Sequence, residues 1–135
     1  MYSFRKSKKG FTLIELMVVV AIIGVLALLG LRLYTGQQQK AKNAIVKANA
    51  GTIQTLLQAE LADDTFANVS NMLTTDPTVF AKSGIHIPDG GPQTTNGTGV
   101  GEVVVVAVVS DEVFEVNGKA FPSGNVYTNA LTARK

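Results

Sequence analysis

Cysteine is absent from this 135-residue chain, which removes disulfides, thiolate nucleophiles and cysteine metal sites together. The single histidine, His86, stands between Ile85 and Ile87, a setting that reads as a strand-edge residue rather than a base or a ligand. There is no nucleophile elbow and no histidine pair. Asp63-Asp64 and Asp111-Glu112 lack the interleaved oxygen ligands and glycine of a calcium loop and read as solvated turn charges. The run Gly97-Thr98-Gly99-Val100-Gly101 has the look of a phosphate cradle, but no Lys-Ser/Thr follows it and the next segment reads as a strand, not a helix. We therefore expect no catalytic residue, no metal site and no cofactor. Asn68-Val69-Ser70 and Asn96-Gly97-Thr98 match the glycosylation pattern, from which no glycan is inferred.

Charge is also sparse, at 16% of residues against 46% hydrophobic, a composition that excludes a disordered chain. The length suits one domain, with roughly 100 residues in a soluble part that buries a modest core. The net charge of +2 is misleading, because Arg5, Lys6, Lys8 and Lys9 supply four of the twelve basic residues. Without residues 1–10, eight basic side chains face ten acidic ones, a balance of −2. A basic footprint for nucleic acid is then not evident.

Most of the apolar content lies near the start. Residues 16–31 are sixteen consecutive uncharged positions, and Phe11, Leu13 and Ile14 extend the run upstream. As a helix, residues 11–31 span about 31 Å at ~1.5 Å per residue, which matches a hydrocarbon core of about 30 Å. The basic cluster just before the run predicts a cytoplasmic N-terminus. A secretory signal peptide needs a small-residue cleavage site after the run, and Gly30-Leu31-Arg32-Leu33-Tyr34 offers a poor one. A plain signal anchor fits the hydropathy, yet it leaves Gly10 and Glu15 without a reason.

Glu15 is the informative residue. A carboxylate this far into an apolar helix costs about 2.5–3.5 kcal/mol near the bilayer centre and less toward its edge, so it calls for a partner or an interfacial position. Lys9-Gly10-Phe11-Thr12-Leu13-Ile14-Glu15, followed by Leu16-Met17-Val18-Val19-Val20-Ala21-Ile22-Ile23-Gly24, resembles the class III signal of type IV prepilins. The resemblance covers residues 1 to about 60 directly. It implies that a prepilin peptidase/methyltransferase cuts after Gly10 and methylates the new N-terminal Phe11. It also implies that Glu15 pairs with the freed amine of a neighbouring subunit during filament assembly. Such a pair is far stronger in a dry helical bundle than in water.

The same resemblance implies a leader over residues 1–10, a transmembrane and assembly segment over 11–35, and a head over 36–135 that includes the second half of the helix. The expected life of the chain begins as a single-pass inner-membrane precursor with a cytoplasmic leader. It ends, through the pilus assembly machinery, as a homo-oligomeric surface filament serving adhesion, motility or DNA uptake. Many family members carry a proline near the position of Arg32; this chain does not, which leaves the helix break of that region resting on Gly24 and Gly30. Family heads often close their C-terminal region with a disulfide, which is excluded here.

Beyond residue 36, Val46, Ala50, Ile53, Leu57 and Leu61 recur at spacings of three and four, with Leu56 widening the stripe. They predict a helix that carries the head on this face and ends near Asp63-Asp64, with Gly36 and Gly51 as soft points. Lys40, Lys42 and Lys47 read as its solvated face, with a lipid-headgroup patch as the alternative. Residues 66–84 read as short helical turns in a loop, with Asp76 as N-cap, Pro77 at the first helical position and Gly84 as terminator.

Residues 89–101 read as a long flexible excursion. Residues 103–109 form a continuous apolar strand that needs cover on both faces. Asn117-Gly118 reads as a two-residue hairpin turn that places Phe114 opposite Phe121, and Val126-Tyr127-Thr128 as a last strand. The expected fold class is α+β, a long N-terminal α-helix serving as membrane segment and spine, packed on a small antiparallel β-sheet head. The rival readings are a pseudopilin of a type II secretion system, whose calcium-binding head loops are not evident, and a signal-anchored periplasmic binding protein or enzyme.

Overall fold

The computed structural model describes residues 10–94 and 96–135, so the basic cluster of residues 5–9 lies outside the described residues. The elements run α1 (Leu13–Asp63), α2 (Phe66–Thr75), α3 (Val79–Lys82), β1 (Val103–Val108), β2 (Val113–Gly118) and β3 (Leu131–Arg134). The chain divides into two compact units, Met1–Gln37 and Gln38–Lys135, and α1 contributes to both.

In the first unit the described residues are helical from Leu13 onward. No proline interrupts the segment, and the helix runs through Gly24 and Gly30 without a break, so the missing proline leaves a continuous helix here. Its large apolar side chains from Leu13 to Leu33 are all at least 47% exposed. An apolar helix with nothing covering it needs an apolar solvent or other helices, and α1 is long and apolar enough to cross a membrane.

The second unit is built on the predicted stripe: Val46, Ala50, Ile53, Leu57 and Leu61 are the buried residues of α1. They join Val103, Phe114, Val116 and Ala133 of the sheet, Val69 and Leu73 of α2 and Phe80 of α3 in one core. Leu56 packs at its margin as expected. The three strands form an antiparallel meander in the order β1-β2-β3, so the α+β class holds.

Several local expectations give way. Asn117 and Gly118 do not turn: they end β2, paired with Val104 and Val103. The hairpin turn lies instead between β1 and β2, where Glu112 adopts φ 50, and Phe114 faces Ala107 and Ala133 rather than Phe121. Its aromatic partner is Phe66, with ring centroids 4.6 Å apart. The last strand is β3, not residues 126–128.

Asp76 caps no helix start. It is the C-cap of α2, and its carboxylate accepts from Thr78 N and Oγ1 at 3.0 and 2.6 Å. This closes a turn over Pro77, so α3 begins only at Val79. Gly84 does terminate α3, with φ +80. The outer face of β1 is also less covered than expected: Val106 is 51% exposed, and Val109 lies outside the strand at 75%. A three-stranded sheet with one core to cover has one face left over.

The excursion over residues 89–101 is pinned. Gln93 is fully buried, and its amide brackets Val103, accepting from Val103 N at 3.1 Å and donating to Val103 O at 2.9 Å. Asn43 holds Phe121 in the same two-point manner, at 2.7 and 3.1 Å, and Asn117 holds Tyr127 at 3.3 and 3.1 Å. Asn49 and Gln54 donate from α1 to His86 O and Thr132 O, both at 2.8 Å. In a head without cysteine these amides tie the loops and the C-terminal stretch to the helix and sheet, each replacing water as the partner of a backbone group.

Candidate functional site at the start of α1

Gly10, Phe11 and Thr12 precede the first helical residue, Leu13, and are exposed; Phe11 is 84% exposed. Thr12 occupies the N-cap position and Glu15 the third helical one. Glu15 N donates to Thr12 Oγ1 at 3.2 Å, while Thr12 N and Thr12 Oγ1 donate to Glu15 Oε2 at 3.3 and 3.5 Å. This reciprocal pairing is a capping box. It satisfies orphan donors of the first turn, and a carboxylate there also meets the positive end of the helix dipole.

The structure thus brings Glu15 together with Thr12, a residue the sequence reading passed over. The signal was present as Thr-x-x-Glu at the head of an apolar run. The Gly10–Phe11 bond lies just outside the capped helix, in backbone that is free of helical hydrogen bonds.

The other sequence candidates are occupied by local structure. His86 is exposed, with Nδ1 2.8 Å from Gly84 O. In the glycine-rich run, Gly99 N donates to Glu102 Oε2 at 2.7 Å, and a Cβ on Gly97 would meet Val103 O at 2.6 Å. That loop is folded on its own carboxylate and strand.

Asp64 accepts from Thr65 N and Asn68 Nδ2 at 2.7 and 2.6 Å. The Asn68 amide, followed by the Thr65 backbone, holds its carboxyl below the ordinary aspartate value. Among the described residues no three His, Cys, Asp or Glu side chains are grouped as a metal site. Lys40 and Lys47 are exposed as expected, but Lys42 is half-buried, 2.7 Å from Asp89 Oδ1 and over the Phe121 ring at 4.9 Å.

Comparison with known proteins bears on this N-terminal segment and on the whole chain. Residues 5–31 match the family described as the prokaryotic N-terminal methylation motif. The fimbrial protein EcpB of Eikenella corrodens is 47% identical over 55 residues, 41% of this chain and 35% of that relative. The type IV major pilin protein PilA of Myxococcus xanthus is 35% identical over 69 residues, half of this chain and 31% of that relative. These two matches span about a third of the relatives' length. The type IV major fimbrial protein FimA of Dichelobacter nodosus is 30% identical over 131 residues, which is 93% of this chain and 69% of that relative. No solved structure gives a significant match. The methylation motif at the capped start of an exposed apolar helix, and a likeness to FimA that runs through the head, place this chain in the type IV pilin family.

Proposed function

We propose that the chain is a structural subunit of a type IV pilus, with no catalytic role of its own. A prepilin peptidase cuts it after Gly10, Phe11 is N-methylated, and the subunit packs through its apolar helix into a surface filament. The observation that carries this reading is the exposed apolar length of α1, which begins at a cap two residues beyond the Gly10–Phe11 bond. Before assembly the bilayer covers that surface; in the filament neighbouring helices do.

The leader stays cytoplasmic, the helix spans the inner membrane, and the head lies beyond it until the assembly machinery extracts the subunit. Glu15 attracts the Phe11 amine of a neighbour and so helps set the axial register of otherwise slippery apolar helices. The relatives matched are fimbrial proteins and pilins by name, which favours a pilus over a pseudopilin of a secretion system.

Intact mass of membrane-derived chain tests the processing: loss of residues 1–10 and gain of one methyl are expected together. A Gly10→Val precursor should accumulate uncut, since a bulky side chain obstructs the peptidase. Normal trimming of that variant would overturn the cleavage assignment. Filaments visible by electron microscopy that vanish on deletion test the pilus itself.

A further inference from the structure

The part of α1 within the second unit has four distinct sides, read at about 100° per residue. One is the buried stripe of Val46, Ala50, Ile53, Leu57 and Leu61. Diametrically opposite lie Ala44, Ala48, Thr52, Thr55, Ala59 and Ala62, all exposed and uncharged. Thr52 and Thr55 direct their hydroxyls to Ala48 O and Gly51 O at 2.9 and 3.0 Å. Lys42, about five turns before Glu60 on the same flank, is neutralised by Asp89; the other charges of the two remaining flanks divide by sign, Lys40 and Lys47 on one and Glu60 and Asp63 on the other, all exposed. None of these four forms an ion pair among the described residues.

We infer that these two flanks are the complementary halves of one interface between copies of this chain, Lys40 and Lys47 of one subunit meeting Glu60 and Asp63 of the next. The inference rests on the pilus reading and adds the residues that set the contact. The flanks lie on opposite sides of the helix, so the contact is heterologous and leaves a free half at each end. They are also offset along the axis by 16–20 residues, about 24–30 Å at ~1.5 Å per residue. A heterologous contact with an axial offset does not close into a ring; it propagates as a helical filament. Parallel helices arranged this way bring the charges together only in the staggered register. A contact without the offset leaves like charges level and unmatched. The small residues on the fourth side allow other helices to approach closely without clashing with either flank.

The natural absence of cysteine makes the test clean. Lys47→Cys with Asp63→Cys places the two thiols about 24 Å apart within one chain, far beyond the ~7 Å Cα limit for a disulfide. Any bond between the two positions must therefore join copies. Full-length chain in its pilus-forming cell should give an extended ladder of cross-linked multimers on mild oxidation, and each single substitution no more than dimers. In parallel, Lys40→Glu with Lys47→Glu should reduce filaments at least tenfold while leaving the processed subunit at normal level, and adding Glu60→Lys with Asp63→Lys should restore them. Normal filaments without a ladder, or a fourfold swap no better than the lysine reversals, would overturn the inference and leave the pilus reading standing. If the unaltered chain forms no filament, both fall together.

Discussion

Gly118 lies against Val46 so closely that a Cβ at position 118 would sit 2.3 Å from Val46 Cγ1 and 2.8 Å from Val126 Cγ2. The glycine is there because sheet meets helix, not because the chain turns. Gly118→Ala should therefore act as an overpacking change at the centre of the core, destabilising the head by about 1–3 kcal/mol. Thermal unfolding measures it, and Val46→Ala in the same chain should recover part of the loss. An unchanged unfolding temperature in Gly118→Ala would mean that the helix and sheet are further apart than described.

Gln93→Met preserves much of the side-chain volume but removes both contacts to Val103. Each buried backbone group left unpaired costs about 1–3 kcal/mol, so this single change should rank among the most destabilising in the head. Gln93→Glu should be damaging as well, since a carboxylate would face the Thr94 and Val103 carbonyls that the amide now donates to, at 2.8 and 2.9 Å. Hydrogen exchange at Val103 N–H gives the local readout, slow in the natural chain and fast in Gln93→Met; Gln93→Glu keeps an acceptor for that N–H and should show its cost in thermal unfolding.

The exposed Asp76 carboxyl is held down to about 2, first by the hydrogen bond from Lys82, then by those from the Thr78 hydroxyl and backbone. A folded-state value below the ordinary 3.8 means that the unfolded chain binds more protons in between. The contribution is thus present above about pH 4 and is lost as pH falls toward 2. The Asp76 side-chain carbonyl signal should titrate near 2 and move up toward the ordinary value in Lys82→Ala. A midpoint near 4 in the natural chain would refute the pairing.

Glu15 has two possible duties, capping its own helix and attracting a neighbour's amine, and substitutions separate them. Glu15→Gln retains a side-chain acceptor suited to a capping box but no charge. Thr12→Val removes the cap and keeps the charge. If charge pairing governs assembly, Glu15→Gln should reduce filaments as strongly as Glu15→Ala, with insertion and head folding unaffected, while Thr12→Val assembles well. The reverse ranking, counted on processed subunits at equal level, would assign the residue to the cap.

Where a signal is local, the sequence reading located it correctly. The stripe from Val46 to Leu61 appears because helical periodicity is written within neighbouring turns, and every residue in it is buried. The apolar run and its carboxylate stand out for the same reason. Asn117-Gly118 failed because a turn and a close helix–sheet contact both ask for glycine, and the dipeptide does not say which. β3 escaped because Leu131–Arg134 is only four residues long and carries little periodicity.

By itself, then, the sequence determined the apolar helix, the basic cluster before it, the methylation motif at its start and the face of α1 that is buried, all properties of residues a few positions apart. The tertiary structure decided where the sheet turns, which face of β1 stays open, and how a head without cysteine holds its loops. The reason is physical. Gln93 reaches Val103, Asn43 reaches Phe121 and Asn117 reaches Tyr127 through backbone groups. Every residue but proline offers the same backbone donor and acceptor, so the partner of a buried amide has no signature until the chain has folded around it.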